Sequence, residues 1–379
     1  MLKFIDKKLE GKTFAEINCG IGGFRLSLES MGAKSSFAVE TDKHAADVYE
    51  KNFNERPATI LKDIPEHDIL VVKLPYCSSK NTKSNSFNAN DIISVIAFKK
   101  PEIILLESAA NSNDVILKIL EKLGYIVHCS ILNALNYGVP QNRKSVYVVA
   151  FRKDIKVNDF KFPEPIALTK HVEDILEPES NIPAKMYVNR TDVVMNSKDL
   201  NSYSDRPIQI GYVAANRQGE RIYSIKGTAI TLTANGGGQF SKTGGYLINE
   251  KLRKLTPIEC ARLMGFPDDF IISKSNNQAY TQFGNSVVVD VIQMILESIA
   301  EALCDGEDKN NKEINDFSTL KKEYNNPVKN NFSFLSYFKV VDVMYIIREF
   351  IDKIINKLLS IRLYYKDTAG HTHKNLNLI

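Results

Sequence analysis

Glycines and one acidic residue near the start of the chain have the spacing of a nucleoside-binding site. The run Gly20-Ile21-Gly22-Gly23 follows an apolar stretch and comes directly before a helical pattern. Glycine lets a ligand approach the backbone, and the first turn of a helix offers unpaired N–H groups. Glu40 lies 20 residues after Gly20, where an acid can accept hydrogen bonds from ribose hydroxyls. The pattern predicts a site for a nucleoside cofactor, and a tight turn that binds no ligand is the alternative. It does not distinguish NAD from S-adenosylmethionine.

Short apolar runs alternate with helical patterns through residues 13–150. Continuous apolar runs are typical of strands that a parallel sheet buries on both faces. We predict strands at residues 13–18, 36–40, 69–74, 103–106 and 146–151, and helices at residues 24–31, 44–52 and 115–123. The alternation predicts an α/β fold with a doubly wound, mostly parallel sheet.

The pattern changes after residue 155. Prolines stand at positions 163, 165, 178, 183 and 207, and a Gly-rich run follows at Gly236–Gly238. These features predict a smaller, loop-rich domain that leans toward β structure. Helical patterns return at residues 257–264 and 287–304, and the second of these is expected to complete the first domain.

The end of the chain has a different composition. Residues 305–331 are rich in Asn and Lys, as in a linker. One helical face then carries Val343, Ile346, Ile347, Phe350, Ile351, Ile354, Ile355 and Leu358. A helix that packs against the body is the main interpretation, and a partner-binding helix and a membrane-surface helix are the alternatives.

The composition is that of a globular protein. The chain has 379 residues, of which 44% are hydrophobic and 25% charged, with a net charge of +4. This mildly basic balance permits a polyanionic partner without requiring one. Five cysteines without a CxxC pair, and six histidines that do not cluster with them, favour free thiols and no structural metal. A signal-peptide core and an apolar run of ~20 residues are both missing, so we expect no membrane span and a cytoplasmic location.

Several segments resemble the DNA (cytosine-5) methyltransferases. They are residues 14–33, 40–53, 132–152, 253–270 and 278–289, which match the family's first two motifs, its Gln-x-Arg-x-Arg motif and its last two motifs. The resemblance covers residues 1–303, and residues 217–248 are similar to the recognition region of bacterial members that read GCGC. It implies the class I fold of S-adenosylmethionine-dependent methyltransferases, S-adenosylmethionine as cofactor, and double-stranded DNA as partner within a restriction–modification system.

The resemblance also divides the chain. Residues 1–174 and 283–305 are expected to form the catalytic domain, and residues 175–257 the target-recognition domain. Residues 258–282 are expected to form a hinge that carries a family motif, and residues 306–379 a linker with an amphipathic helix.

In the mechanism that the resemblance implies, a cytosine is flipped out of the duplex. A cysteine thiolate adds to C6, a glutamate holds N3 and N4, and C5 takes the methyl group before elimination. Glu107 fits the glutamate, and Gln141 and Arg143 fit the Gln-x-Arg-x-Arg motif. Asn285 and Ser286 fit the motif that contacts the methionine part of the cofactor.

The departures from the family pattern lie at the positions that would carry out the methyl transfer. Tyr76 holds the nucleophile position after Pro75, and Cys77 is one residue later. A tyrosine oxygen is hard and has a pKa of ~10, so it is a poor nucleophile for C6. The motif at Glu107 reads Glu-Ser-Ala rather than Glu-Asn-Val, and Ser145 replaces an arginine. We expect methyl transfer to be lost or strongly impaired; an active enzyme that uses Cys77 is the alternative.

The cofactor positions differ as well. Asn18 stands where the family has a phenylalanine, and Thr41 where similar members have a tryptophan. Loss of two aromatic contacts is expected to weaken cofactor binding by roughly 1–3 kcal/mol. Asp63 is the nearest candidate for the acid that meets the adenine amino group.

The positions expected to contact DNA match the family pattern better than the catalytic and cofactor positions do. Gln218 and Arg221 fit the residues that fill the gap left by the flipped base and read guanine, whose O6 and N7 suit the arginine fork. Asn235 replaces a tyrosine, which leaves the exact target open. The remaining predicted DNA contacts are Thr231, Thr233, Gly236 and Gly237.

Three hypotheses follow. A DNA-binding pseudoenzyme is favoured, because the scaffold and recognition segments match while the chemical positions do not. An active methyltransferase that uses Cys77 is the second. An NAD-linked oxidoreductase is the third, and it would need acid–base residues after residue 155, where the chain resembles a DNA-recognition region instead.

Overall fold

A six-stranded sheet is the centre of the structure, a computed structural model that describes residues 8–74, 86–109, 114–196 and 202–304. The strands are β1 (Thr13–Ile17), β2 (Lys34–Val39), β3 (Ile69–Lys73), β4 (Ile103–Ala109), β5 (Tyr125–Asn133) and β6 (Lys144–Arg152). They lie in the order β2-β1-β3-β4-β6-β5, and within this sheet β6 alone runs opposite to the other strands. The α/β fold with a mostly parallel sheet is confirmed.

Both faces of this sheet are buried, because its central strands are apolar at successive positions. Ile69 and Val71 of β3 face one hydrophobic core, and Leu70 and Val72 face a second core on the other side. All four side chains are fully buried, and burial of each contributes about 1.5–3 kcal/mol. Because β1 to β4 are parallel, the residues that end them meet at one edge of the sheet.

Seven α-helices accompany the strands in the described part of the chain. They are α1 (Gly23–Ser30), α2 (Lys43–Phe53), α3 (Ala89–Lys99), α4 (Asp114–Lys122), α5 (Pro257–Leu263), α6 (Asn276–Asn285) and α7 (Val289–Cys304). Helix α7 packs against α1 in the first core, and the Ser27 hydroxyl donates a hydrogen bond to the Val289 carbonyl oxygen at 3.1 Å. The late segment 289–304 therefore joins the core built by the first strands.

A second, smaller sheet follows. It contains β7 (Val194–Met195), β8 (Gln209–Tyr212), β9 (Arg221–Ser224), β10 (Gly245–Ile248) and β11 (Lys251–Lys254), in the order β11-β10-β9-β8-β7. Ile210, Ile222 and Phe240 belong to its separate small core. Arg253 of β11 forms two 2.7 Å hydrogen bonds with the buried carboxylate of Glu259 in α5, which ties this sheet to the helix.

The predicted strands and helices within the described residues are present, with ends that differ by three residues or fewer. Strand β5 and helices α3 and α6 were not predicted, and strands β7 to β11 were expected only as parts of a domain that leans toward β structure. Among the described residues, no helix is long and apolar enough to cross a membrane, and no cluster of His, Cys, Asp and Glu is placed to hold a metal ion. Pro75, Tyr76, Cys77 and the predicted carboxyl-terminal helix lie outside the described residues.

Candidate functional site

The turn after β1 has an open backbone at Gly20. This residue has a φ of +58°, and a Cβ placed there would meet no atom within 4 Å. At Gly22, with a φ of +90°, a Cβ would stand 2.2 Å from the Phe53 ring. At Gly23 it would stand 2.8 Å from Val287. Packing therefore requires glycine at the last two positions, whereas Gly20 is free for the close approach of a ligand.

Glu40 follows β2, and its carboxylate binds this turn. Its Oε2 accepts a hydrogen bond from the Gly20 N–H, and its Oε1 accepts from the N–H groups of Thr41 and Asp42, all at 2.8 Å. Burial raises the pKa of the Glu40 carboxyl, and these N–H groups oppose the rise. A carboxylate has about four acceptor sites, so this one is held in a fixed orientation with capacity left on Oε2 for a ligand hydroxyl.

A narrow cleft joins the Gly-rich turn to the segment before α7. Its lining residues are Asn18, Cys19, Gly20, Gly23, Phe24, Lys73, Asn285, Ser286 and Val287. The cleft thus brings the predicted cofactor residues Asn18, Gly20 and Gly23 together with Asn285 and Ser286. An open glycine backbone, the N–H groups at the start of α1 and the oriented Glu40 carboxylate fit the ribose and backbone contacts of a nucleoside cofactor.

Asn18 has a bracing role in this cleft. Its Nδ2 donates to the carbonyl oxygens of Lys73 at 2.9 Å and Phe87 at 3.1 Å, and its Oδ1 accepts from the Phe87 N–H at 3.1 Å. The side-chain amide therefore joins the end of β3 to the residue that precedes the α3 cap. These backbone groups already engage both ends of the amide.

The two other predicted cofactor residues differ in placement. Thr41 is half-buried next to Glu40 and bonds to it through its N–H. The Asp63 side chain is 84% exposed and lies 3.8 Å from the Lys62 ammonium. Asp63 does not line the cleft, so the structure does not bring it to the other cofactor residues. Its backbone has a φ of +55° in an exposed turn.

Glu107 is buried at the carboxyl end of β4. The parallel register places it beside Lys73 of β3, and its Oε2 forms an ion pair with the Lys73 Nζ. Burial favours a raised pKa for the Glu107 carboxyl, but the charges of Lys73 and Arg143, together with hydrogen bonds from Lys73 and Ser145, outweigh it and lower the pKa. Glu107 is thus a paired carboxylate.

Lys73 was missed by the sequence analysis. It ends the run Ile-Leu-Val-Val-Lys, whose first four residues are fully buried, and its own side chain is 20% exposed. A lysine at the end of a buried strand requires a counter-ion. That rule points to an acid on a neighbouring strand, although the sequence does not say which one.

Gln141 and Arg143 lie just before β6 and bind separate parts of the chain. The Gln141 Nε2 donates to the Leu263 carbonyl oxygen at 3.0 Å, and its Oε1 accepts from the Leu232 N–H at 3.1 Å. The Arg143 guanidinium donates to the carbonyl oxygens of Leu232, Gly284 and Ser286 at 2.9–3.1 Å. These contacts position the second-sheet loop and the Asn285–Ser286 turn around the carboxyl edge of the first sheet.

Two predicted DNA-reading loops are in direct backbone contact. The Phe240 N–H donates to the Gly219 carbonyl oxygen at 2.7 Å. A Cβ at Gly219 would stand 2.0 Å from the Gly237 oxygen. Gln218 and Gly236 are exposed on these loops, so the contact sets the two predicted DNA-binding turns side by side.

Arg221 lines a cleft of about 690 Å³ between the two sheets. Other lining residues include Asn142 and Lys144 from the first sheet region and Arg206 from the second. The Arg221 guanidinium bonds to the Tyr223 hydroxyl, while its Nε has no hydrogen-bond partner among the described residues. The cleft is therefore lined by three cationic residues, one with an unused donor, and by one acidic residue, Asp205.

The remaining predicted DNA contacts lie between these features. The Thr231 hydroxyl donates to the Asn142 carbonyl oxygen, and the Thr233 hydroxyl donates to the Asn235 carbonyl oxygen at 2.8 Å. Asn235 and Gly237 are exposed. Both threonine hydroxyl protons are thus used within the protein, which leaves only their oxygen lone pairs and methyl groups for a ligand.

The mixed sheet, with a Gly-rich turn after its first strand and an acid after its second, defines a class I methyltransferase fold. Solved structures with this architecture include the Dnmt2 methyltransferase of S. pombe, with a TM-score of 0.58 and 21% identity over 77% of this chain and 99% of that one. The methyltransferase EhMeth of Entamoeba histolytica has a TM-score of 0.57 and 20% identity over 77% of this chain and 98% of its own.

Sequence comparison identifies the family. The sequence profile of the C-5 cytosine-specific DNA methylases matches residues 12–301, and the chain belongs to this family. It is 41% identical to the Type II methyltransferase M.HhaI of Haemophilus parahaemolyticus over 323 residues, 80% of this chain and 98% of that protein. It is 32% identical to the Type II methyltransferase M.DsaV of Dactylococcopsis salina over 76% of this chain and 85% of that protein. The family binds DNA and uses S-adenosylmethionine as methyl donor.

Proposed function

We propose that this protein binds double-stranded DNA at GCGC-like sites, flips a cytosine out of the duplex, and has lost most or all of its methyl transfer. The observation that carries the proposal is Tyr76 in the nucleophile position after Pro75. Its support in the described residues is that Glu107, the predicted cytosine-holding acid, is already paired with Lys73. Recognition loops that pack together and a cationic cleft support the DNA-binding half of the proposal.

Each part of the site has a task in this proposal. Glu40 orients the ribose of S-adenosylmethionine, and Asn285 and Ser286 contact its methionine part. When bound, this cofactor supplies an electrophilic methyl group. Loss of aromatic contacts at Asn18 and Thr41 weakens its binding. Arg143 and Gln141 hold the surrounding loops in place and do not carry the chemistry themselves.

The DNA contacts belong to the second sheet and its loops. Arg221 reads guanine in the major groove, and Gln218 fills the space that the flipped base leaves. Residues 175–257 form the target-recognition domain, and residues 1–174 and 283–305 the catalytic domain. Residues 258–282 form the hinge between them.

The alternative is an active methyltransferase that uses Cys77. The Cys77 thiolate would form a bond to cytosine C6 and push electron density onto C5, which would then take the methyl group. Removal of the C5 proton would expel the thiolate and restore the ring. The observation that favours this alternative is that Cys77 lies one residue from the family's nucleophile position. A shift of about 1 Å in a reacting group can cost ~100-fold in rate.

Transfer of a labelled methyl group from S-adenosylmethionine to a GCGC duplex tests the proposal, with a 5-fluorocytosine duplex as a covalent trap. We expect no label in the DNA and no adduct, while the duplex is still retarded on a gel. The matched gain-of-function control is the double variant Tyr76→Cys with Lys73→Met, which restores a cysteine at the nucleophile position and removes the ion pair of Glu107. Label and an adduct that both disappear in Cys77→Ser would establish the alternative, and absence of DNA binding would overturn both.

Arg221→Ala tests the DNA-reading role. We expect binding of the GCGC duplex to weaken by about 1–3 kcal/mol, a factor between about 5 and 150, because a bidentate guanine contact is lost. Arg217→Ala removes an exposed cation from the same turn and is expected to weaken GCGC and unrelated duplexes equally. If Arg221→Ala also weakens both duplexes equally, Arg221 contacts phosphate rather than guanine.

A further inference from the structure

Lys73 stands between the two halves of the candidate site. Lys73 lines the narrow cleft with Gly20 and Ser286, and its ammonium pairs with Glu107. Its carbonyl oxygen accepts the hydrogen bond from Asn18. One residue thus joins the predicted cofactor cleft to the predicted cytosine-holding acid.

The groups that face Glu107 come from both neighbouring strands. Lys73 lies beside it on β3, and Tyr147 lies opposite it on β6. Ser145 donates a hydrogen bond to its carboxylate, and Arg143 adds a positive charge. The hydrogen bonds of Arg143 go to three backbone carbonyl oxygens. Lys73 is therefore the cation in direct contact with the carboxylate.

The ion pair determines what Glu107 can do. A glutamate that assists attack on cytosine has to donate or share a proton at N3. A buried carboxyl without a partner takes up a proton, because an isolated charge in an apolar environment is unfavourable. Contact with an ammonium removes that tendency, since the ammonium stabilises the anion directly.

We propose that Lys73 is an internal counter-ion that occupies the ligand side of Glu107, so that this acid is held ionised and serves as a fixed hydrogen-bond acceptor, not as a proton donor. Lys73 is then a positioning residue that controls the chemistry of the pocket through Glu107. The effect of Lys73 on a bound cytosine rests on the proposed function, whereas the ion pair between Lys73 and Glu107 does not. This control is separate from the change at Tyr76, so the site is impaired at two independent points.

Infrared difference spectroscopy tests the proposal on the whole protein. The spectrum of each protein is compared with that of the same protein carrying Glu107→Gln, which isolates the Glu107 carboxyl. We expect the wild-type carboxyl to stay ionised from about pH 5 upward, and Lys73→Met to give a protonated carboxyl band at about pH 6. Lys12→Met is the matched control, because Lys12 pairs with Glu102 at 2.6 Å, before β1 and β4 begin.

The outcomes are distinct. A protonated Glu107 in the wild type above about pH 5 would overturn the proposal even if no Lys73 variant folds. An ionised Glu107 in Lys73→Met at about pH 6 would overturn it as well.

A second measurement uses a GCGC duplex with 2-aminopurine at the target cytosine, whose fluorescence rises on flipping, and an unmodified duplex for affinity. Lys73→Met is expected to bind the unmodified duplex about tenfold more tightly than the wild type at about pH 6, with the gain lost as Glu107 ionises at higher pH. Equal affinities at the lower pH would overturn the role of Lys73 in the pocket. If no variant binds DNA, the proposed function fails, and the infrared result alone decides the role of Lys73.

Discussion

Glu40 and Glu107 both lie at the carboxyl edge of the first sheet, but their surroundings differ in kind. Three backbone N–H groups orient Glu40, and burial raises the pKa of its carboxyl. Lys73 contacts Glu107 and, with the charge of Arg143, outweighs burial and lowers the pKa. The comparison shows that backbone dipoles can orient a carboxylate while it keeps its tendency to take up a proton. A full charge in contact removes that tendency.

Glu16 of β1 extends the comparison to an interior site. The Tyr49 hydroxyl donates to its Oε2 at 2.7 Å, and Arg25 in turn donates to the Tyr49 oxygen at 3.0 Å. Burial raises the pKa of Glu16 to about 8, although Tyr49 and Arg25 oppose the rise. Here a cation is present, but a phenol separates it from the carboxyl, so its effect is small.

The largest expected effect follows from breaking the contact at Glu107. Lys73→Met should lower the free energy of unfolding by about 3–5 kcal/mol near pH 8, because it leaves a buried charge unpaired. In the wild type the folded pKa of Glu107 is lowered, so its stabilisation is present above the unfolded pKa and is lost as the pH falls. In the variant burial raises this pKa, so stability is lost as the pH rises instead.

Urea unfolding at about pH 5 and pH 8 measures this reversal. The partly exposed pair of Lys12 and Glu102 provides the control, since Lys12→Met should cost at most about 1 kcal/mol. Parallel pH dependences for the wild type and Lys73→Met would show that the cation does not distinguish Glu107 from Glu40.

A smaller change in stability is expected at Glu16, where the Tyr49 hydroxyl lies between the carboxyl and Arg25. Because the folded pKa of Glu16 is about 8, above the unfolded value of 4.5, the carboxyl destabilises the fold increasingly as the pH rises through this interval. Glu16→Gln keeps an acceptor for Tyr49 and should be more stable than the wild type by about 2–4 kcal/mol near pH 8. Near pH 5 the difference should nearly vanish.

Thermal or urea unfolding of the wild type and Glu16→Gln between about pH 5 and pH 8 measures this difference in stability. Glu29→Gln is the surface control. Glu29 also bonds to Arg25, at 2.7 Å, but it is exposed to solvent. An equal gain for Glu16→Gln at both pH values would mean that Glu16 ionises normally in the folded protein.

The smallest effect concerns the ligand rather than the fold. Glu40→Gln should weaken binding of S-adenosylmethionine about tenfold, because the amide replaces one acceptor oxygen with a donor. Asp63→Asn should leave binding unchanged, since Asp63 is on the surface. Calorimetric titration of both variants checks this, and the reverse ranking would show that Asp63 joins the cleft when the cofactor binds.

The sequence predicted the strands that are apolar throughout, because burial on both faces removes any ambiguity of period. It did not predict β5, an edge strand with exposed Ile126 and Ile131, where partial exposure breaks that pattern. Helix α3 was hidden because it contains four β-branched residues, which lower helix propensity. Capping by Asn88 and Asp91 stabilises its first turn nonetheless.

The site was predictable where a motif carries its own spacing. The Gly-rich turn and Glu40 are 20 residues apart, and the Gly20 N–H donates to the Glu40 carboxylate. The contact of Lys73 with Glu107 joins residues 34 positions apart, and that of Asn18 with Phe87 joins residues 69 positions apart. Such pairings depend on strand order and register, which local pattern does not specify. Asp63 was chosen by its distance along a shortened loop, and its exposed turn leads it away from the cleft.

The contact between Gly219 and Gly237 has a consequence for altering the DNA target. Any side chain at Gly219 would strike the backbone of the other loop at 2.0 Å, so neither turn can change shape alone. Exchange of one loop with that of a relative should yield a misfolded hybrid, even when each loop is functional in its own parent. If these two turns read the DNA target as proposed, a change of target requires that both turns change together.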